Sequence, residues 1–503
     1  MVVAWLRELM RLDREDKLDN SLGEAAVPSD RVRSSSALLS HDLAFALAAA
    51  FGFAVTLATF WPGYMSVDSL VQLGEARTHQ YNDWHPPVMS WLWSLVDSVI
   101  PGPQGMLILH NATFWGGLAL IARNSLRSAF GALAVLVIGF LPPMFGLLST
   151  IWKDVAQGAM LLCGFALLQH ARMHNSRWAL WAALPPLAYG TLVRHNGFFA
   201  ALPLTLWWGW LAMKLYASRW TRRWTVTGAA LLVALVLLSI GVTRALTGGK
   251  SMHHQQVILL HDLVAISLER HQNLLPDYLQ KSPHPLSLER LALMYDPGNT
   301  VWLWCCEGPR IPLTQDPTQN RQLLRQWFKV VSQNPGVYLR HRWKTVCSQF
   351  GIASAVVAYP FHHGIDPNSF GLSFRPGRWN TWVMAELETT KNSFLFRGWV
   401  YVVATVAFMV LSRLVRPRNF GMALVLGSSG LLYAVTLFPI DLASDFRLIW
   451  WTAVVGWVLP LIVFSNTQEA TEPARASRVA VGGSRSSQWR SSQVNERPGR
   501  VDQ

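Results

Sequence analysis

A run of acidic, aromatic and imidazole residues follows the first apolar stretch of this chain: Trp61-Pro62-Gly63-Tyr64, Asp68, then Asp83-Trp84-His85-Pro86-Pro87. Ionisable groups beside an apolar bundle are costly and serve chemistry or transport where they occur. Asp68, just past a Pro-Gly turn, could take a proton from an attacking hydroxyl or bind a divalent cation. A solvated loop acid is the plainer reading of the same residue. Pro86 and Pro87 suit a first helical turn, which aims Asp83 and His85 at the helix entry. Helix initiation accounts for Trp84 and the prolines, but not for an acid and a histidine on either side of that indole.

Three further short segments carry comparable groups. Trp152-Lys153-Asp154 reads either as a helix cap with a snorkelling lysine or as a second carboxylate that divides labour with Asp68. Arg194-His195-Asn196-Gly197 offers a forked set of donors suited to a phosphate, or a structural bridge to Asp68 or Asp154. Asp441 and Asp445, four apart, could share a helical face, and Arg447 is a second phosphate candidate that Asp445 could simply neutralise. Together these segments suit transfer from a phosphate-linked donor: one group deprotonates the acceptor and cations stabilise the departing phosphate.

The elements that must position these groups are membrane helices. The chain has 503 residues, 51% hydrophobic and 14% charged, against about 25% charged in soluble domains. Its 25 tryptophans suggest many rings at headgroup level. The net charge of +14 is spread over short loops and a tail, which excludes a nucleic-acid module and fits topology plus attraction to anionic lipid. Apolar stretches predict about ten spans: Leu43–Phe60, Met106–Ala122, Ala129–Leu148, Val155–Leu168, Trp178–Val193, Gly197–Leu211, Val226–Val242, Trp399–Leu414, Gly421–Leu437 and Leu448–Phe464.

Loops with Arg123 and Arg127, with Arg172 and Arg177, with Lys214, Arg219, Arg222 and Arg223, and with Arg413, Arg416 and Arg418 fall on one side and contain no acid. By the positive-inside rule that side is the cytoplasm, so every chemically interesting loop faces outward. Val88–Ile100 is apolar, short and stopped by Pro101-Gly102-Pro103, and reads as an interfacial helix. The predicted organisation is a cytoplasmic segment 1–40, a first bundle with catalytic outer loops 41–242, a mainly helical outer or membrane-surface domain 243–397, C-terminal spans 398–465 and a disordered tail 466–503. The first apolar stretch lacks a credible cleavage site and reads as a retained span.

Within 243–397, Gln322–Val331 and Val337–Phe350 read as amphipathic helices, the second with Arg340, Arg342 and Lys344 on its polar face. Of the four cysteines, Cys163 reads as packing, and Cys305 or Cys306 could pair with Cys347 in an oxidising compartment. No CxxC spacing occurs.

The order of Asp68, the His85-Pro86-Pro87 element and Asp154 resembles the GT-C superfamily of membrane glycosyltransferases, whose relatives include protein O-mannosyltransferases and lipid A aminoarabinose transferases. The likeness covers Leu43 to Leu211, with an echo at Asp445-Phe446-Arg447. It implies an all-α polytopic membrane enzyme of the bacterial inner membrane. Such an enzyme takes a polyprenyl-phosphate-linked sugar as donor and a glycan, lipid or protein as acceptor, with its site on the extracytoplasmic side. Carried over, Asp68 is the base or metal-ligating acid, Asp154 the second acid, and Arg194 and Arg447 hold the donor phosphate, with Asp83, His85, Lys153 and His195 beside them. A divalent cation, if one takes part, falls to Asp68 and Asp154; the first outer loop lacks a DxD pair. Two other classes remain: a lipid or glycolipid transporter or flippase, and a surface-polysaccharide polymerase or ligase.

Overall fold

The computed structural model describes residues 35–126, 128–216, 224–281, 286–305, 310–352, 359–441 and 443–465. The basic N-terminal segment before residue 35, the loop residues Arg127, Arg219, Arg222 and Arg223, Cys306, and the tail from 466 lie outside the described residues.

Backbone groups in an apolar surrounding must bond within their own segment, and the chain obeys by forming helices; among the described residues, bridges between extended segments are isolated pairs. The first half runs through α1 (Ser35–Phe60), α2 (Val67–Thr78), α3 (Val88–Asp97), α4 (Gln104–Ser125), α5 (Ala132–Gly139), α6 (Pro142–Leu148), α7 (Lys153–His174), α8 (Arg177–Ala182), α9 (Leu184–Leu192), α10 (Gly197–Tyr216) and α11 (Trp224–Thr247). The second half adds α12 (Gln256–Arg270), α13 (Leu288–Met294), α14 (Pro317–Gln333), α15 (Pro335–Gln349), α16 (Arg378–Thr390), α17 (Gly398–Val415), α18 (Pro417–Ile440) and α19 (Trp450–Val463).

Among the described residues seven helices are long and apolar enough to cross a bilayer, or eight if the bent pair Ala129–Gly139 and Pro142–Leu148 is one span broken by 69°. The break falls where Pro142 and Pro143 cannot continue the preceding helix. Of the remaining expected spans, Val155–Leu168 lies inside the 22-residue α7, which buries Gln157 and Gln169 and is too polar by composition alone. Trp178–Val193 is divided between α8 and α9 ahead of Pro185 and Pro186. The α3 helix is ten residues long and too short to cross.

The core is built on close helix approach. The α4 and α7 helices meet at Gly117, where a Cβ would lie 3.1 Å from the backbone of Cys163. Tryptophan fills much of the remaining space. Trp93, Trp115, Trp152, Trp450 and Trp451 are buried rather than interfacial, each with its indole N–H bonded: to the Gly102 carbonyl, Thr56 Oγ1, Ser66 Oγ, the Pro143 carbonyl and Ser429 Oγ. An indole pays no desolvation penalty in a core that supplies an acceptor.

The region 243–397 divides in two. A separate apolar core of Leu259, Leu263, Leu275, Leu291, Leu303, Leu323 and Val330 holds α12 to α15 together. Residues 359–397 instead pack on the first bundle, where Asn380 donates to the Thr59 carbonyl and to the Tyr64 hydroxyl at 3.0 and 2.6 Å. The α11 helix runs to Thr247, past the expected boundary at 242.

Three local expectations are corrected. Arg342 is fully buried and does not share the polar face of Arg340 and Lys344; two residues turn a helix by about 200°, so it faces the opposite way. Asp441 and Asp445 are each extended and lie outside the helices that flank them, so those two acids share no helical face. Cys163 and Cys347 carry free thiols, so no disulfide reaches Cys347.

Candidate functional site

The Asp68 loop is held on both sides by backbone. Gly63, at φ +111°, makes the left-handed turn that lets the chain leave α1. The Tyr64 N–H then donates to the Ser149 carbonyl at 2.8 Å and the Ile151 N–H to the Tyr64 carbonyl at 3.0 Å. On the other side the Met65 N–H donates to the Gly364 carbonyl and the Asp366 N–H to the Met65 carbonyl, both at 2.9 Å. Trp152 Nε1 donates to Ser66 Oγ at 2.8 Å and Ser69 Oγ to the Ile151 carbonyl at 2.8 Å. The start of α2 is thereby locked to the start of α7, which fixes Asp68 relative to Lys153.

Four segments of the sequence meet there. Arg447 donates from Nη1 to Asp68 Oδ2 at 2.8 Å and from Nε to Asp445 Oδ2 at 3.1 Å, with its guanidinium 4.6 Å from the centre of the Trp152 ring. His85 Nε2 stands 3.5 Å from Asp68 Oδ1. The Lys153 ammonium donates to His85 Nδ1. Lysine has only donors, so Nδ1 accepts and the imidazole proton sits on Nε2, facing Asp68. Lys153, His85, Asp68, Arg447 and Asp445 form one continuous chain of alternating donors and acceptors.

Arg194 pairs instead with Asp154, among the most buried groups of the site, and its Nε donates to Asn196 Oδ1 at 3.2 Å. Asn196 in turn donates to Thr436 Oγ1 at 2.9 Å, and the guanidinium lies 5.8 Å from the Tyr433 ring centre. This is the structural bridge weighed above, realised with Asp154 rather than Asp68. The two ionic groups are neighbours: the charges of Arg447 and Asp68 both act on Arg194.

Asp83 and His195 stand to one side. Asp83 accepts from Ser251 Oγ and from the Met252 N–H, each at 2.6 Å. His195 stacks on His254 with ring centres 3.9 Å apart and planes within 10°. Trp84, between Asp83 and His85, packs edge-on to Trp304 at 5.1 Å. The Asp83-Trp84-His85 loop is thus gripped by residues 251–304 while His85 reaches the Asp68 group.

Electrostatics separate these groups. Burial works to raise the Asp68 pKa, but the Arg447 charge, the His85 hydrogen bond and Lys153 outweigh it and hold the carboxyl well below its usual value. Burial, then the Lys153 charge, pushes His85 down to about 4, so the imidazole is neutral near pH 7. Burial raises Asp445, with Arg447 opposing. Burial, then His254, pushes His195 down to about 2, consistent with two neutral stacked rings.

Sequence reasoning missed several residues of this neighbourhood. Glu75 lies seven positions after Asp68 on α2, buried, accepting from Ser90 Oγ at 2.6 Å, and burial raises its pKa; its two-turn spacing from Asp68 is a signal that could have found it. Tyr359 and His362 carry no such signal. His362 Nε2 donates to the Met65 carbonyl at 3.1 Å while the Tyr359 hydroxyl donates to Nδ1.

Among the described residues no group of three or more His, Cys, Asp or Glu could hold a metal ion. Asp68 and Asp154 are each already engaged by an arginine. This donor set does not fit the divalent cation considered above.

No protein-family profile, no curated protein and no solved structure matches this chain.

Proposed function

We propose that the chain is a membrane glycosyltransferase that moves a sugar from a polyprenyl-phosphate donor to a hydroxyl acceptor with inversion, at the expected outer side of the bundle. The observation that carries this reading is the meeting of Asp68, His85, Lys153 and Arg447 from four separate segments in one hydrogen-bonded chain beside apolar helices.

In the resting arrangement Arg447 divides its guanidinium between Asp68 and Asp445. A donor phosphate competes for those N–H groups, because Arg presents a fork that matches phosphate oxygens. Loss of Arg447 from Asp68 removes the largest influence holding that carboxyl ionised, so its proton affinity rises as the donor binds. Asp68 then takes the proton of the acceptor hydroxyl. The acceptor oxygen attacks the anomeric carbon, the bond from that carbon to the phosphate oxygen breaks, and polyprenyl phosphate leaves with the electron pair. Arg447 and Lys153 stabilise the charge it gains. Arg194 stays with Asp154 and braces the start of α10 against α7.

The test is reconstitution of the full chain in liposomes with polyprenyl-phosphate-linked and polyprenyl-diphosphate-linked radiolabelled sugars. A glycosylated product and released polyprenyl phosphate support the proposal. Product from the diphosphate donor alone favours a polymerase or ligase, and lipid flux without product favours a transporter; either overturns it.

A further inference from the structure

A second ionic cluster lies between α12 and α15, beside the small apolar core that holds these helices. Asp262 is fully buried; its Oδ2 accepts from Arg342 Nη2 and from Trp327 Nε1, both at 2.8 Å, and its Oδ1 stands 3.3 Å from His341 Nε2. On the far side of that imidazole, Nδ1 lies 2.9 Å from the Tyr295 hydroxyl. His261, also fully buried, packs its ring against His341 and donates from Nε2 to the Asp296 carbonyl at 2.8 Å.

The cluster backs onto a hollow of about 260 Å³ lined by Glu269, Tyr295, Arg340, His341 and Lys344 with apolar residues of α12 and α15. It shares no residue with the Asp68 site. Its volume lies just under the range of small-molecule pockets, about 300–1,000 Å³, which suits one monosaccharide-sized group. Arg340 and Lys344 are one helical turn apart on α15 and exposed, and Arg340 reaches Glu269 across the hollow at 3.2 Å. Lys344 has no such carboxylate partner among the described residues.

The buried side dictates what the wall can offer. The Asp262 charge favours the imidazole proton on the nearer nitrogen, Nε2, so Nδ1 accepts from Tyr295. The phenol proton is therefore committed inward, and burial keeps the phenol protonated. The Tyr295 oxygen is left with acceptor capacity only, at a rim that carries two cations and one carboxylate. A ligand matching that wall brings an anion for Arg340 and Lys344 and a hydroxyl that donates to Tyr295.

We infer that this hollow binds a phosphate carried beside hydroxyl groups, as in a phosphosugar or a phosphoinositol headgroup, through Arg340, Lys344 and Tyr295. The full chain in nanodiscs of phosphatidylcholine is titrated calorimetrically with glucose 6-phosphate, and with glucose as control. Glucose 6-phosphate binds, and glucose binds at least about tenfold more weakly. The double variant Arg340→Ala/Lys344→Ala loses at least about tenfold in affinity, since each charge-assisted bond contributes on that scale. Glu269→Gln, which releases Arg340 from its partner, tightens binding; Arg447→Gln leaves it unchanged, which separates this hollow from the Asp68 site. A second arm measures phosphatidylinositol retained on purification. Retention that disappears in the double variant, with no binding of the soluble phosphosugar, assigns the phosphate to a lipid headgroup. Equal affinity for glucose and glucose 6-phosphate, loss of binding in Arg447→Gln, or a double variant that keeps both binding and retention overturns the inference, as does a wild-type chain that takes up neither probe.

Discussion

Arg447 donates to Asp68 at 2.8 Å across a sequence separation of 379 residues, and the same guanidinium holds Asp445. A carboxylate so paired is ionised and oriented but a weak base, and it becomes a strong one only when the arginine is drawn elsewhere. Asp68→Asn keeps the shape and removes the proton acceptor. Sugar transfer in reconstituted liposomes is expected to fall by about 10²–10⁴-fold, while detergent gel filtration shows an unchanged profile. Wild-type rates in this variant refute the base assignment.

His85 faces Asp68 through Nε2 and is held there by Lys153 at Nδ1. His85→Gln retains a donor toward Asp68 but cannot match the position of Nε2. Its expected effect is a fall in kcat of about tenfold with little change in KM for the donor, because the loss is felt in the transition state. A rise in KM at constant kcat would instead place His85 in ground-state binding.

The Arg194–Asp154 pair is a structural element with a distinct signature. Removing one partner strands a buried charge, and Arg194→Met alone is expected to cost about 3–5 kcal/mol. The double variant Arg194→Met/Asp154→Leu recovers most of that. Thermal unfolding of the two single variants and the double in the same detergent makes the cycle; additive losses contradict the pairing.

Acid is expected to destabilise the folded chain through His85 and His195. His85 and His195 both sit below the usual 6.5, at about 4 and about 2. The unfolded chain therefore binds protons between about pH 6.5 and 4 that the folded chain refuses, and stability falls as pH is lowered through that window. Asp68, also depressed, adds a loss in the same direction further down, as pH falls through its ordinary carboxylate value toward its lower folded one. Melting temperature measured from pH 8 to 4 should decline below about 6.5, and less steeply in His195→Gln/His254→Gln.

Asp83 acts as a latch. Asp83→Ala removes the acceptor for Ser251 Oγ and the Met252 N–H. Amide exchange across 251–256 should speed up by at least about tenfold, with the α4 and α7 amides unchanged. Uniform acceleration throughout would mean global destabilisation instead.

Much of the architecture was legible in the sequence. Apolar runs marked the helices long enough to cross a bilayer, and the Pro-Gly turn, the prolines at 86 and 87 and the charged turns marked where polar groups would stand. These signals are local: a helix must satisfy its own backbone, and a run of apolar residues says so without reference to the rest of the chain. Helix boundaries were less visible where composition is mixed, as at α7 and at the broken pair α8 and α9, whose burial depends on neighbours.

Pairing was decided by tertiary structure alone. Nothing local distinguishes Asp68 from Asp154 as the partner of Arg194, or a solvated Arg342 from a buried one. Packing of α7 against α9 and α10 brings Arg194 to Asp154, and packing of α15 on α12 turns Arg342 onto Asp262. The interaction between two charges depends on their separation and on the water excluded around them, and both are set by helices that meet only in the folded chain.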